Sequence, residues 1–141
     1  MEVYRICNEA YANELMASGC ENRWNRGGQL VIYACGSRSL AMLEMVVHRS
    51  NIIQGLTYRM LTLTIAEKKM SIRQVQLDEL PDNWRSIYGR PVLQEIGASW
   101  YDAKETLVLK VPSVLVPKEF NYIINTEHPL FLTMVGMVGS E

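Results

Sequence analysis

The sequence predicts a single α+β domain, and three observations carry that expectation. Strand-like and helix-like segments alternate without a regular strand–helix–strand period, which disfavours a doubly wound parallel sheet. The chain has 141 residues, which suits one domain, 1–141, able to bury a core without disulfides or a metal. Hydrophobic residues make up 48% and charged residues 21%, the balance of an ordinary globular protein.

The elements follow from local pattern. Glu2 to Ile6 alternates polar and apolar side chains and reads as a strand. Ala10 to Met16 reads as a short helix, with Gly19 beyond it as a C-cap. Gly19 to Gly28 is rich in Asn, Arg and Gly and reads as a loop. Gln29 to Ala34 carries β-branched and aromatic residues and reads as a buried strand. Gly36, Ser37 and Ser39 then supply a turn and an N-cap. Ser39 to Arg49 is a helix with apolar residues on nearly every side, so it is expected to be buried.

Thr57 to Ala66 is strongly strand-like, and Met70 to Val75 more weakly so. Leu80 to Asn83 is a turn signal, because proline fixes φ and Asp and Asn bond locally to backbone. Pro91 to Tyr101 reads as a helix with proline in its first turn. Glu105 to Val111 is a strand, Ser113 to Val116 and Asn121 to Asn125 are short strands around Pro117, and Leu130 to Val138 is a last strand.

Charge and cysteine usage exclude several classes. A net charge of -1 offers no basic field to gather nucleic acid or an anionic membrane. Cys7, Cys20 and Cys35 are odd in number and lack CxxC spacing, and His48 and His128 are the only histidines, so no zinc site is expected. Free thiols fit a reducing cytoplasm. The first residues lack the pattern of a signal peptide, and the longest apolar run, Leu40 to Val47, is interrupted by Glu44, so no membrane span is expected.

A few residues could carry chemistry. Arg23-Trp24-Asn25-Arg26-Gly27-Gly28 precedes a strand, and guanidinium forks beside glycine amides can hold phosphate; a solvated turn is the plainer reading. Glu44 shares a helical stripe with Leu40 and Val47, where a carboxylate is costly unless it is paired or faces a cleft. It reads either as a buried ion pair with an arginine such as Arg5 or Arg23, or as a functional acid. Tyr33, near the strand end, is either core or a stacking wall for a planar ligand. Ser113 follows a strand, where it could bond a ribose or amide or simply cap the strand end; no GxSxG elbow makes it a nucleophile.

In order along the chain, these residues resemble the RES-domain family, toxins of Res–Xre toxin–antitoxin pairs. The resemblance runs through Val3-Tyr4-Arg5-Ile6, Arg23-Trp24-Asn25, Val31-Ile32-Tyr33-Ala34, Ser37 and Ala41-Met42-Leu43-Glu44 with Val47-His48. It resumes at Val111-Pro112-Ser113, Val116-Pro117, Asn121-Tyr122-Ile123-Ile124-Asn125 and His128-Pro129, while Ile53 to Asp102 matches only in pattern. Asn22 stands where the family often has glycine, and the C-terminal end lacks the family's Phe-x-Phe-Asp-type strand.

The resemblance implies a fold similar to the ADP-ribosyltransferase toxins and cleavage of the nicotinamide–ribose bond of NAD, with no metal. It implies a functional set of Arg23, Tyr33, Glu44 and Ser113, with Trp24, Asn25 and Asn125 at binding-motif positions. The acceptor it leaves open: water, inorganic phosphate or a protein side chain, the last making an ADP-ribosyltransferase; an inactive interaction module is the other alternative. It also implies an Xre-type helix-turn-helix antitoxin as partner, a homodimer within that complex being one arrangement it allows, and DNA contact only through the partner.

Overall fold

The computed structural model describes residues 1–48, 55–68 and 71–141. In chain order these form β1 (Glu2–Asn8), β2 (Val31–Cys35), α1 (Arg38–Val47), β3 (Tyr58–Ile65), β4 (Ile72–Gln74), α2 (Arg90–Ala103), β5 (Val108–Pro112), β6 (Phe120–Asn125), α3 (Phe131–Met134) and β7 (Val135–Ser140). The strands make one sheet in the order β4-β5-β6-β2-β1-β3-β7. All neighbours run antiparallel except β4 and β5, which are parallel and joined through α2. This is the α+β architecture the segment pattern predicts.

Alternation along the strands sorts side chains between cores on opposite faces. Ile32 and Ala34 of β2 join Val3, Leu61, Leu63, Ile65 and Ile124 in one cluster. Val31 and the flanking Tyr33 join Trp24, Leu93, Trp100, Leu109 and Ile123 in a second, beside α2. A smaller cluster of Cys35, Leu40 and Ala41 seats α1 against Tyr4, Ile6 and Met60. Each fully buried Leu or Ile contributes about 1.5–3 kcal/mol, so these clusters fix the frame on which the loops are hung.

The centre of the sheet is split. β1 and β2 pair at a single register position, Tyr4 with Cys35, whereas β1 pairs with β3 along seven positions. From Cys35 back towards Val31 the two strands are unpaired, and the Arg5 guanidinium enters the gap, donating to the Tyr33 carbonyl at 3.5 Å. Burial lowers the Arg5 pKa, with the Cys7 thiolate form opposing that shift.

Several sequence expectations are corrected. Ala10 to Met16 is not an α-helix. A one-turn 3-10 helix at Glu9–Tyr11, capped by Asn8 accepting from the Ala10 amide at 2.9 Å, is followed by irregular chain. Seven residues are too few to sustain a helix alone, and Ala12, Leu15 and Ala17 instead lie along the first core. Gly19 has φ +71 but caps no helix; its carbonyl accepts from the Gly28 amide at 2.8 Å, closing the arginine loop.

The helix expected at Ser39 begins at Arg38, with Ser37 as N-cap accepting from the Leu40 amide at 3.1 Å; its expected end at Arg49 lies outside the described residues. It is not buried all round, since Leu40 and Ala41 are buried while Met42, Leu43, Val46 and Val47 are exposed. One helix face is enough to cover the split sheet, which leaves the other apolar stripe open. Ser113 to Val116 is a turn, and Leu130 to Val138 begins with the single turn of α3 before β7. Met70, the expected start of the weak strand, also lies outside the described residues.

Candidate functional site

The split between β1 and β2, the arginine loop and α1 enclose a two-lobed cleft. One lobe, about 320 Å³, is lined by Arg5, Ile6, Val31, Tyr33, Glu44 and Tyr58 among others. The second, about 150 Å³, adds Arg23, Trp24, Pro112, Val114, Leu115 and Asn121. Asn22, Tyr33, Glu44 and His48 border both lobes, so the two form one continuous depression with Glu44 and Tyr33 at its waist.

Glu44 reaches the cleft because it sits on the half-buried side of α1, four residues after Leu40, which is packed inside. Neither arginine suggested by the sequence pairs with it. The Asn121 amide donates to Glu44 Oε1 at 2.8 Å, and the Cys35 thiol donates to Oε2 at 3.4 Å. Asn121 Nδ2 also lies 3.4 Å from Cys35 Sγ, which closes a three-membered cluster. Burial, then the Glu44 charge and hydrogen bond, push the Cys35 thiol well above its ordinary range, so it stays protonated and able to donate. A neutral amide and thiol thus hold the carboxylate without cancelling its charge, unlike an ion pair.

The arginine loop is a tight turn. Asn22 and Asn25 exchange backbone hydrogen bonds at 3.2 and 3.4 Å, placing Arg23 and Trp24 at the tip. Tyr33 fastens this turn to β2. Its hydroxyl donates to Asn25 Oδ1 at 2.6 Å and accepts from the Trp24 amide at 3.1 Å. Burial, as the leading cause, raises the Tyr33 pKa, so the phenol remains protonated and can donate. Asn25, almost fully buried, also donates to the carbonyls of Cys20 and Arg26.

Arg23 is half-buried in the smaller lobe, and its Nη1 has no hydrogen-bond partner among the described residues. Burial and the Arg90 charge lower its pKa, while Tyr33 and Glu44 act in the opposite sense.

The sequence-predicted residues therefore divide. Arg23, Tyr33 and Glu44 converge on the cleft, with Trp24 in its wall and packed into the second core. Asn25 contacts the site through Tyr33 rather than through the cleft. Asn125 is fully buried, donating to the Tyr101 carbonyl at 3.1 Å and accepting from the Glu127 amide at 2.9 Å, which places it in the scaffold. Ser113 is 2% exposed and does not line the cleft. Its hydroxyl accepts from the Leu115 and Val116 amides, both at 3.1 Å, and so shapes the turn that carries Val114 and Leu115 into the wall.

Sequence reasoning missed Asn121, Cys35, Asn22 and His48 as site residues. His48 was within reach, because it lies four positions after Glu44 and so on the same helix face. Asn121 was not, because it comes from a strand 77 residues further on.

A family profile for the RES domain matches residues 2–137. Fold and site together define the class: the chain belongs to the RES-domain family. A protein called Toxin Res from Yersinia enterocolitica serotype O:8 is 34% identical over 142 residues, spanning 98% of this chain and 92% of that protein. The Prs ADP-ribosylating toxin of Sphingobium sp. strain YBL2 is 32% identical over 133 residues, spanning 89% and 83% respectively. A chain of the M. tuberculosis MbcT–MbcA toxin–antitoxin complex has the same fold, with a TM-score of 0.75 over 99% of this chain and 82% of that one, at 14% identity.

Proposed function

We propose that this protein is the toxin of a toxin–antitoxin pair and that it cleaves the nicotinamide–ribose bond of NAD. The observation that carries the reading is Glu44, a carboxylate held by neutral donors at the waist of a cleft between Tyr33 and Arg23. Cleavage of an N-glycosidic bond passes through an oxocarbenium-like state, and nicotinamide leaves as a neutral group. The residues needed are therefore an anion beside the ribose and fixed contacts at both ends of the substrate, not a general acid.

In this reading Glu44 bonds the ribose hydroxyls and opposes the developing positive charge. The Tyr33 ring stacks on the nicotinamide, whose cationic ring is drawn to an electron-rich face. Arg23, whose side chain lines the smaller lobe, grips the diphosphate. Ser113 acts through the turn it holds rather than by touching the substrate.

The acceptor gives the reaction its name: water makes a glycohydrolase, inorganic phosphate a phosphorylase. Transfer to a protein is the second reading, favoured by the 32% identity to a Prs ADP-ribosylating toxin. A chain that destroys NAD needs a neutralising partner, and an antitoxin with an Xre-type DNA-binding domain covering the cleft would meet that need; the fold neighbour comes from a toxin–antitoxin complex.

The test is incubation of purified protein with NAD, with and without phosphate, and with a candidate protein acceptor, followed by product identification. NAD loss is expected to fall about 100-fold or more in Glu44→Gln with the fold retained. Wild-type NAD consumption by that variant would remove the role given to Glu44.

A further inference from the structure

We propose that Arg90, the first residue of α2, is the second arm of an anion site with Arg23, and that the pair takes the paired phosphoryl groups of a diphosphate. The inference deepens the reading above and rests on it only for the identity of the ligand as a dinucleotide.

Two buried guanidinium nitrogens are left without a hydrogen-bond partner in the described residues, Arg23 Nη1 and Arg90 Nε. They belong to neighbouring arginines, although Arg23 sits on the loop between β1 and β2 and Arg90 starts a helix 67 residues later. No ion pair among the described residues includes either one. The protein contact of Arg90 is a long one, 3.4 Å from Nη2 to Asn22 Oδ1, an oxygen already accepting from the Arg23 amide at 2.8 Å. Of the carboxylates around the loop, Glu21 accepts from Gln94 at 2.8 Å, and Glu44, whose charge reaches Arg23, is held by Asn121 and Cys35.

A buried donor without a partner costs stability, and two like charges held together cost more. The repulsion registers in Arg23, whose pKa burial and then Arg90 depress, and Tyr33 also lies within reach of both charges. An arrangement that is unfavourable for the empty protein becomes favourable when a multiply charged anion bridges it, because guanidinium forks match phosphoryl oxygens edge to edge. A single carboxylate or monoanion would satisfy one arginine; a diphosphate offers oxygens to both.

The loop geometry keeps the arms in place. Gln94, one turn along α2 from Arg90, donates to the Asn22 carbonyl at 2.9 Å and ties the turn to the helix. Arg90 is thereby fixed relative to Arg23 before any ligand arrives, which lowers the ordering cost of binding.

Thermal unfolding and calorimetric titration with inorganic pyrophosphate, ADP-ribose and adenosine, in phosphate-free buffer, test the proposal. Pyrophosphate and ADP-ribose are expected to raise the wild-type melting temperature, with adenosine giving a much smaller response. Arg90→Gln is expected to unfold no earlier than wild type without ligand and to bind pyrophosphate about 10- to 100-fold more weakly. Arg90→Lys, which keeps the charge but not the fork, should fall between them. Pyrophosphate affinity in Arg90→Gln and Arg90→Lys equal to wild type overturns the proposal, as does a wild-type protein that responds to neither diphosphate. A response to pyrophosphate that depends on Arg90, with none to ADP-ribose, upholds the anion site and removes the dinucleotide reading.

Discussion

Asn121 donates to Glu44 from the neighbouring face of the cleft at 2.8 Å, so the orientation of the carboxylate depends on a strand remote from its own helix. Replacing Asn121 by Leu keeps the approximate volume and removes the donor. The expected outcome is a drop in kcat for NAD loss of about 10- to 100-fold with KM little changed, since ground-state binding does not need the carboxylate fixed. Asn121→Asp should instead remove the donor and set a second carboxylate beside Glu44, and is expected to lower kcat at least as far as Asn121→Leu. Wild-type kcat in both variants would mean that Asn121 does not govern Glu44.

Cys35 and Tyr33 both have pKa values raised chiefly by burial, from ordinary values of 9.0 and 10.0. Above pH 9 the unfolded chain releases the Cys35 proton while the folded protein retains it. Stability is therefore fully present below that pH and declines as pH rises from there toward the folded pKa. Each such group contributes a slope of at most about 1.4 kcal/mol per pH unit. Urea unfolding between pH 8 and 11 should show wild type losing stability faster than Cys35→Ser, whose hydroxyl does not titrate there. Equal slopes would indicate that the thiol is not held in its protonated form.

The strands and α2 were legible because each element answers to a local rule. Val31-Ile32-Tyr33 is β-branched and aromatic, Tyr58–Ile65 alternates, and Pro91 marks a helix start. Where tertiary contacts decide, the local reading failed: Ala12, Leu15 and Ala17 follow the core instead of a helix, and Ser113 to Val116 turns because one hydroxyl collects two amides. Glu44 stood out as a charge set in an apolar helix, and the structure places it at the cleft. Its holders Asn121 and Cys35 carry no such contrast in sequence, and the Arg23–Arg90 pair exists only after α2 packs on the arginine loop.

Tyr33→Phe separates the ring from the hydroxyl. The ring that would stack on the nicotinamide remains, but Asn25 loses its donor and the Trp24 amide its acceptor. Leaving such buried groups unsatisfied costs about 1–3 kcal/mol, and the loss falls on the turn that positions Arg23. The expected result is a lowered melting temperature and faster amide exchange in residues 22–26, with KM for NAD raised more than kcat is lowered. Unchanged exchange in that turn would show that the hydroxyl does not fasten it.

Gly97 gives the least intuitive prediction. It lies in the interior of α2, where replacing glycine by alanine ordinarily stabilises a helix by roughly 1 kcal/mol. Here a Cβ would collide with the carbonyl oxygen of Trp24 and come within 2.7 Å of its carbonyl carbon, and these are backbone atoms that cannot rotate aside. The arginine turn must then lift from the helix, against the Gln94 hydrogen bonds that hold it and the buried Trp24 ring. Overpacking of this kind costs about 1–3 kcal/mol, enough to outweigh the gain in helix propensity. Gly97→Ala is therefore expected to lower the melting temperature, and to reduce NAD turnover beyond what the stability loss explains, because the displaced turn carries Arg23. A Gly97→Ala protein that melts higher than wild type and keeps full activity would mean that α2 and the turn are not in direct contact.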